Sequence, residues 1–121
     1  MKRHLLAAAT VLALLLSGCV TQQVTSIPLT SEQVAPKPIS ANVEVYRDTS
    51  PERPYKRIAR LNVHIEKTVL LSSSLDAAIG QLVDKARSVG ADALIEISDD
   101  RSHLNETRIL NVTATAIVYT D

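Results

Sequence analysis

The sequence predicts an α+β protein, a two-layer ββαββ sandwich in which one helix covers a mostly antiparallel four-stranded sheet. Two observations in residues 42–121 carry this prediction. Four stretches alternate apolar and polar side chains, which is the period of a half-buried strand, and one stretch repeats its apolar residues at helical spacing. Each strand stretch keeps one polar face, which suits an antiparallel sheet with one side open to solvent. The helix then covers the other side.

The strands are predicted from their alternation. They are NVEVYR (42–47), YKRIARLNVHIEK (55–67), ADALIEIS (91–98) and TRILNVTATAIVYT (107–120). In the third strand, Ala93, Ile95 and Ile97 share the face that is predicted to meet the helix. Residues 48–54 contain two prolines and predict a turn. The polar stretch DDRSHLNE (99–106) predicts a loop.

The helix is predicted from an apolar stripe at spacings of three and four residues. Its members are Leu75, Ala78, Ile79, Leu82, Val83 and Ala86. Ser73, with Asp76 three residues later, resembles a capping box, and Gly90 is placed to end the helix. Gly80 lies within the helix, where it costs about 1 kcal/mol relative to alanine.

The amino-terminal residues 1–18 are predicted to be a secretory signal peptide. They begin with basic residues, and residues 5–16 then form an uncharged apolar segment. A helix of that length rises about 18 Å, which is shorter than the roughly 30 Å hydrocarbon core, so a membrane span is not expected. The residues LSGC (16–19) resemble the lipobox of bacterial lipoproteins.

The resemblance to a lipobox implies that Cys19 becomes the first residue of the mature chain and carries a diacylglycerol, with fatty acids such as palmitate, on its sulfur. Two or more acyl chains give a stable anchor in a lipid bilayer. By the sorting rule of enteric bacteria, Val20 implies passage to the outer membrane, with the domain in the periplasm or at the surface. Residues 19–41 predict a flexible, Pro-containing tether. The alternatives are an unlipidated secreted protein and a cytosolic protein with an apolar amino terminus.

The composition argues against several classes of function. Lys and Arg number 13, as do Asp and Glu, so loss of Lys2 and Arg3 with the signal peptide leaves a net charge near −2. The aromatic residues are three tyrosines, and no basic cluster is present. Nucleic acid is therefore not an expected partner, because phosphates need Lys and Arg and bases need stacking rings.

Several features together resemble small bacterial envelope lipoproteins, the group that includes the sensor lipoprotein of the Rcs envelope-stress phosphorelay. The features are the lipobox, the Pro-containing tether, PYKRIARLNV (54–63) and ARSVGADALIEI (86–97), in which a Gly-Ala-Asp-Ala turn leads from helix to strand. The Rcs sensor domain is braced by disulfides, whereas this domain has no cysteine. The resemblance implies a small lipoprotein domain that works by binding.

Two candidate sites use titratable residues. Asp99, Asp100, His103 and Glu106 gather possible ligands in the 99–106 loop, and a small-ligand or metal-binding lipoprotein is the alternative function. Their spacing matches neither zinc nor calcium motifs, so a solvated loop is favoured and no metal or cofactor is expected. His64 and Glu66 on one strand face suggest a general base, but no nucleophile or paired-carboxylate motif accompanies them. We therefore expect the protein not to be an enzyme.

The remaining candidate is the sheet face that points away from the helix. Its residues predict a partner-binding site, and they are Tyr46, Arg60, Asn62, His64, Thr113, Thr115 and Tyr119, with Ile117 on the same face. Tyr and Arg are favoured at interface hot spots. The predicted function is a non-enzymatic protein-binding, assembly or envelope-stress-sensing module with an envelope protein as partner. Because the core is small and lacks Phe and Trp, self-association is also possible.

Overall fold

The computed structural model describes residues 20–68 and 74–121. The predicted signal peptide (1–18), the predicted lipidation site Cys19 and the predicted cap residue Ser73 lie outside the described residues. The elements, in chain order, are β1 (Val20–Pro28), β2 (Glu44–Val45), β3 (Tyr55–Thr68), α1 (Leu75–Ser88), β4 (Ala93–Leu104) and β5 (Thr107–Tyr119).

These strands form a single mixed sheet in the order β1-β3-β5-β4-β2. β1, β3, β5 and β4 pair antiparallel with their neighbours, whereas β2 pairs parallel to β4. The prediction of a four-stranded, mostly antiparallel sheet is therefore wrong, because the described residues form five strands and a mixed sheet. The α+β class is right in outline, with strand outweighing helix.

The additional strand is β1, which comes from residues that were predicted to form a tether. It pairs with β3 from Val20 opposite Lys67 to Pro28 opposite Ala59. Val, Thr and Ile are frequent in it and favour strands, but Gln and Ser interrupt the apolar alternation from which strands were predicted. An edge strand with one neighbour needs little apolar surface, and here Val24 packs against the core between the sheet and α1.

The chain between β1 and β2 also packs against the domain. The Lys37 amide donates a hydrogen bond to the Arg87 carbonyl at 2.8 Å, and the Lys37 Nζ forms an ion pair with the Asp92 carboxylate. A Cβ atom at Gly90 would collide with the Ala35 carbonyl oxygen, so this segment passes directly over the end of α1. The predicted tether therefore contributes both a strand and a packed connection.

Helix α1 covers one side of the sheet, as predicted. It begins after Ser74, whose Oγ accepts a hydrogen bond from the Ala77 amide at 3.0 Å, and Gly90 follows its end with φ +83°. From the predicted stripe, Ala78, Ile79, Leu82 and Ala86 are buried, and Leu75 and Val83 are half-buried. The sheet side of this main core includes Leu61, Val63, Ile65, Leu94, Leu110 and Val112. No helix among the described residues is long and apolar enough to cross a membrane.

Strand β4 is buried on both faces at its start, which corrects the predicted orientation. Leu94 belongs to the main core, whereas Ala93 and Ile95 lie in a second cluster on the opposite side of the sheet. A bulge follows Ile95, and within it Glu96 adopts φ +54°. The bulge turns Ile97 back toward the main core. The prediction that Ala93, Ile95 and Ile97 all meet the helix is therefore wrong for the first two.

The polar stretch 99–106 is mostly strand, not loop. Residues 99–104 continue β4, and only Asn105 and Glu106 connect it to β5. Asn105 adopts φ +55°, a conformation that asparagine tolerates better than most residues. Both faces of this part of β4 are exposed, so its side chains up to His103 are polar without alternation, and the sequence resembles that of a loop.

Candidate functional site

The side of the sheet opposite α1, here called the open face, carries most of the predicted site. Residues that pair across neighbouring strands point to the same face of the sheet, so the pairing register shows which residues belong to the open face. They are Gln23, Thr25 and Ile27 of β1, Arg60, Asn62, His64 and Glu66 of β3, and Asn111, Thr113 and Thr115 of β5. Glu96 of the β4 bulge reaches the same face through its contact with Thr115.

The Arg60 side chain reaches from β3 to β5 across the open face. Its Nη1 donates to the Thr115 Oγ1 at 2.7 Å, and its Nη2 donates to the Thr113 Oγ1 at 3.0 Å. The two threonines are alternate residues of one strand, so their hydroxyls lie on the same face, and one guanidinium bonds to both. Thr115 is only 2% exposed. These hydrogen bonds fix the Arg60 side chain, which is 37% exposed.

Glu96 connects two arginines and was missed by the sequence analysis. Arg57 donates to its Oε1 from Nε at 2.9 Å and from Nη2 at 2.5 Å. Its Oε2 accepts from the Thr115 hydroxyl at 3.2 Å and lies 3.9 Å from Arg60 Nη1. The hydrogen bonds from Arg57 are the main cause that lowers the pKa of Glu96. The bulge between Ile95 and Ser98 places this carboxylate on the open face. The sequence analysis missed Glu96 because the sequence of β4 does not indicate a bulge.

His64 is held at both ring nitrogens. Its Nδ1 lies 2.7 Å from Asn111 Oδ1, and its Nε2 lies 2.9 Å from Glu66 Oε1. Both partners are acceptors, so the doubly protonated ring satisfies both, and the hydrogen bond to Glu66 followed by that to Asn111 raises the pKa of His64. A general base needs a nitrogen that faces its substrate, and here both nitrogens are engaged.

A group of tyrosines covers the end of the open face where β3 begins and β5 ends. We call Tyr46, Tyr55, Tyr119 and Arg53 the tyrosine cluster. The three rings pack against Ala93, Ile95 and Ile117, which are fully buried. The open face is therefore not solvent-exposed throughout. Ile117 lies on this face, as predicted, but it is buried beneath the tyrosine rings. The tyrosine cluster therefore packs on a second hydrophobic core, which is smaller than the one beneath α1.

The hydroxyls and the arginine of the tyrosine cluster are oriented by neighbours. The Tyr46 hydroxyl donates to Glu44 Oε2 at 2.6 Å and lies 3.3 Å from the Tyr119 hydroxyl. The hydrogen bond to Glu44 is the main cause that raises the pKa of Tyr46 far above its ordinary value, so the phenol stays protonated. The Arg53 guanidinium lies 3.7 Å from the centroid of the Tyr119 ring and donates to Asp121 at 2.6 and 2.9 Å.

The seven predicted partner-site residues fall into two groups. In the middle of the open face, Arg60 contacts both Thr113 and Thr115, and Asn62 and His64 lie on the same strand as Arg60. Tyr46 and Tyr119 meet in the tyrosine cluster. The sequence analysis missed Arg53, because a Pro-containing turn carries no pattern that reveals where a side chain will stack. It also missed Tyr55, because strict alternation places Tyr55 on the face of Ala59, whereas the irregularity between Arg57 and Ala59 turns it to the open face.

The predicted metal-binding residues do not form a cluster. Asp99 and Asp100 are consecutive in β4, so their side chains point to opposite faces of the sheet. Asp99 instead lies 3.8 Å from Arg101 in an exposed ion pair. Within 20–68 and 74–121, no three side chains of His, Cys, Asp and Glu come together in a way that could hold a metal ion.

The comparisons with known proteins show the fold alone. No protein-family model matches the sequence, and no curated protein matches it. The chain is similar in structure to the crystal structure of the Francisella virulence factor FvfA, with a TM-score of 0.55 and 16% sequence identity. The match covers 79% of this chain and 97% of that chain. It shows a shared architecture, and the resemblance to the Rcs sensor group stays a prediction.

Proposed function

We propose that this protein is a bacterial envelope lipoprotein, anchored in a lipid bilayer through acylated Cys19, whose domain binds a protein partner without catalysing a reaction. The LSGC stretch behind an apolar segment supports the anchor. The outer membrane, with the domain outside the cytoplasm, is the proposed location. A role in envelope assembly or stress sensing belongs to the same proposal, and the partner is another envelope protein.

The observation that carries the proposal is the tyrosine cluster. Arg53 is 48% exposed in its side chain, yet its guanidinium is fixed by the Tyr119 ring and by Asp121. Tyr and Arg are enriched among the hot spots of protein interfaces, and both offer a large contact area together with polar groups. A side chain that is already ordered loses less conformational entropy when a partner binds. The cluster is thus preorganised for recognition.

The titratable groups of the open face support binding over catalysis. Both nitrogens of His64 are engaged by Asn111 and Glu66. The raised pKa of Tyr46 keeps its hydroxyl protonated, so this phenol is not available as a base. Glu96 is ionised and held by Arg57. Each of these side chains makes contacts that position its neighbours, as the residues of a rigid binding surface do.

Photocrosslinking in intact cells tests the proposal. A photoreactive amino acid replaces Tyr119, and a matched variant carries it at Asp84, which is 78% exposed in its side chain on α1, in the other layer of the domain. We expect a specific protein adduct from position 119 that is absent from position 84. The Arg53→Ala variant should reduce its yield, because the stacked guanidinium would be lost.

Two results would contradict the proposal. One is the same set of adducts at positions 119 and 84, which would indicate nonspecific proximity. The other is a specific adduct at position 119 whose yield does not respond to Arg53→Ala or to Tyr46→Ala. In that case the tyrosine cluster would lie near a protein without recognising it.

A further inference from the structure

The end of the sheet where β1 begins also carries the turn between β4 and β5. One row across the sheet is formed by Val20, Lys67, Arg108 and His103, and the next row outward contains Thr68, Thr107 and Leu104. We call this end, with the turn at Asn105 and Glu106, the anchor end. The tyrosine cluster lies at the other end of the same strands, where Tyr55 pairs with Tyr119.

Val20, which follows the predicted lipidation site Cys19 in the sequence, lies at the anchor end. The Cα atoms of Cys19 and Val20 are about 3.8 Å apart, because consecutive residues are joined by one peptide bond. In the strand order β4 is the third strand from β1, and strands are about 4.8 Å apart, so Leu104 lies roughly 15 Å from Val20. No flexible linker separates the predicted lipidation site from the folded sheet, since β1 begins at Val20.

Among the side chains that the structure describes at the anchor end, Leu104 is an exposed apolar one. It is 68% exposed and precedes the tight turn, where a polar residue would be expected on a protein surrounded by water. The anchor end carries Lys67 and Arg108 against Glu106, so its charge does not repel an anionic surface. A leucine in this position gains from contact with the boundary between lipid headgroups and acyl chains.

We propose, on the basis of the proposed lipidation of Cys19, that the anchor end stands on the membrane surface with Leu104 seated among the lipid headgroups. β3 has 14 residues, and at about 3.3 Å per residue it carries Tyr55 roughly 40 Å from the bilayer. The rigid sheet, and not a flexible tether, then sets the distance at which the tyrosine cluster meets its partner.

Fluorescence quenching in proteoliposomes tests this orientation. The mature lipoprotein carries Leu104→Cys, labelled with a small environment-sensitive fluorophore, and is reconstituted in vesicles of phosphatidylethanolamine and phosphatidylglycerol. The matched control is Ile39→Cys, since Ile39 is also apolar, is 91% exposed, and follows Lys37, which contacts Asp92 at the start of β4. Both positions are exposed, so neither label replaces a core contact. Acylation of Cys19 leaves the introduced thiol as the only one for labelling.

Nitroxide groups on the lipid headgroups should quench the label at position 104 and leave the label at position 39 nearly unquenched. The label at 104 should also show a blue shift in emission on reconstitution. Equal quenching at the two positions, with Cys19 acylation verified in the same sample by mass spectrometry, would overturn the inference alone. An unmodified Cys19 would overturn the proposed anchor, and this inference would fall with it.

Discussion

Arg57 and Glu96 form an ion pair that reaches across β5. Arg57 belongs to β3 and Glu96 to β4, and β5 lies between these two strands. Both Nε and Nη2 of the arginine donate to the same carboxylate oxygen, at 2.9 and 2.5 Å. Glu96 meets the arginine from a bulge in which its φ is +54°, a backbone conformation that is uncommon for residues other than glycine. The pair therefore compensates for local backbone strain and fixes the bulge.

Replacing Glu96 by Gln should destabilise the domain at neutral pH and have little effect in acid. The lowered pKa of Glu96 means that its stabilising contribution is present above its unfolded pKa, near 4.5, and is lost as pH falls through the folded pKa. Urea unfolding at neutral and acidic pH measures this difference, with Glu52→Gln in the exposed turn as control. A deficit of Glu96→Gln that is the same at both pH values would show that the charge is not responsible.

His64 should titrate above the ordinary histidine pKa of 6.5, because Glu66 and Asn111 accept hydrogen bonds from its protonated ring. A raised folded-state pKa contributes stability that is fully present below the unfolded pKa and is lost as pH rises through the folded value. His64→Gln should therefore lose more stability in mild acid than in mild base. The NMR titration of the ring protons gives the pKa directly, and a midpoint at or below 6.5 would refute the prediction.

Alanine substitutions at two glycines should act in opposite directions. Apart from the neighbouring backbone of the helix itself, no atom lies within 4 Å of a Cβ built at Gly80, so Gly80→Ala should stabilise the domain by about 0.5–1 kcal/mol through helix propensity. Gly90→Ala should destabilise it by at least about 1–2 kcal/mol, because φ is +83° there and the new Cβ would meet the Ala35 carbonyl. Thermal unfolding of both variants checks the signs. A destabilised Gly80→Ala variant would reveal a contact that this account lacks.

Removal of residues 20–41 should unfold the domain or destabilise it severely. The truncation would expose the edge of β3 and remove Val24 and Val34 from the main core. We expect a loss at least as large as that of a major core truncation, about 2–5 kcal/mol, for which Leu82→Ala is the comparison. Urea unfolding of chains that start at Val20 and at Asn42 measures the loss. Equal stability of the two chains would show that these residues act only as a tether.

The sequence was informative where an element buries one face against the core. Helix α1 and the strands β3 and β5 have that form, so their periodicity placed them correctly, and Arg60 and Thr115 were assigned to the right face. Periodicity failed where burial is two-sided, as at Leu94 and Ile95, or nearly absent, as in β1. The contacts of Glu96 and Arg53 arise from a bulge and a turn, so they depend on tertiary structure that a residue pattern does not encode.

The anchor at Cys19 is the central claim of this account, and mass spectrometry of the mature amino terminus tests it most directly. The protein is isolated from the membranes of cells grown with a palmitate analogue, beside a Cys19→Ser variant. We expect a wild-type chain that begins at Cys19 with acyl groups on its sulfur, and an unlabelled variant that keeps residues 1–18, because serine oxygen is too weak a nucleophile to accept the lipid. A mature chain that begins elsewhere, or equal labelling of the two proteins, would contradict the account.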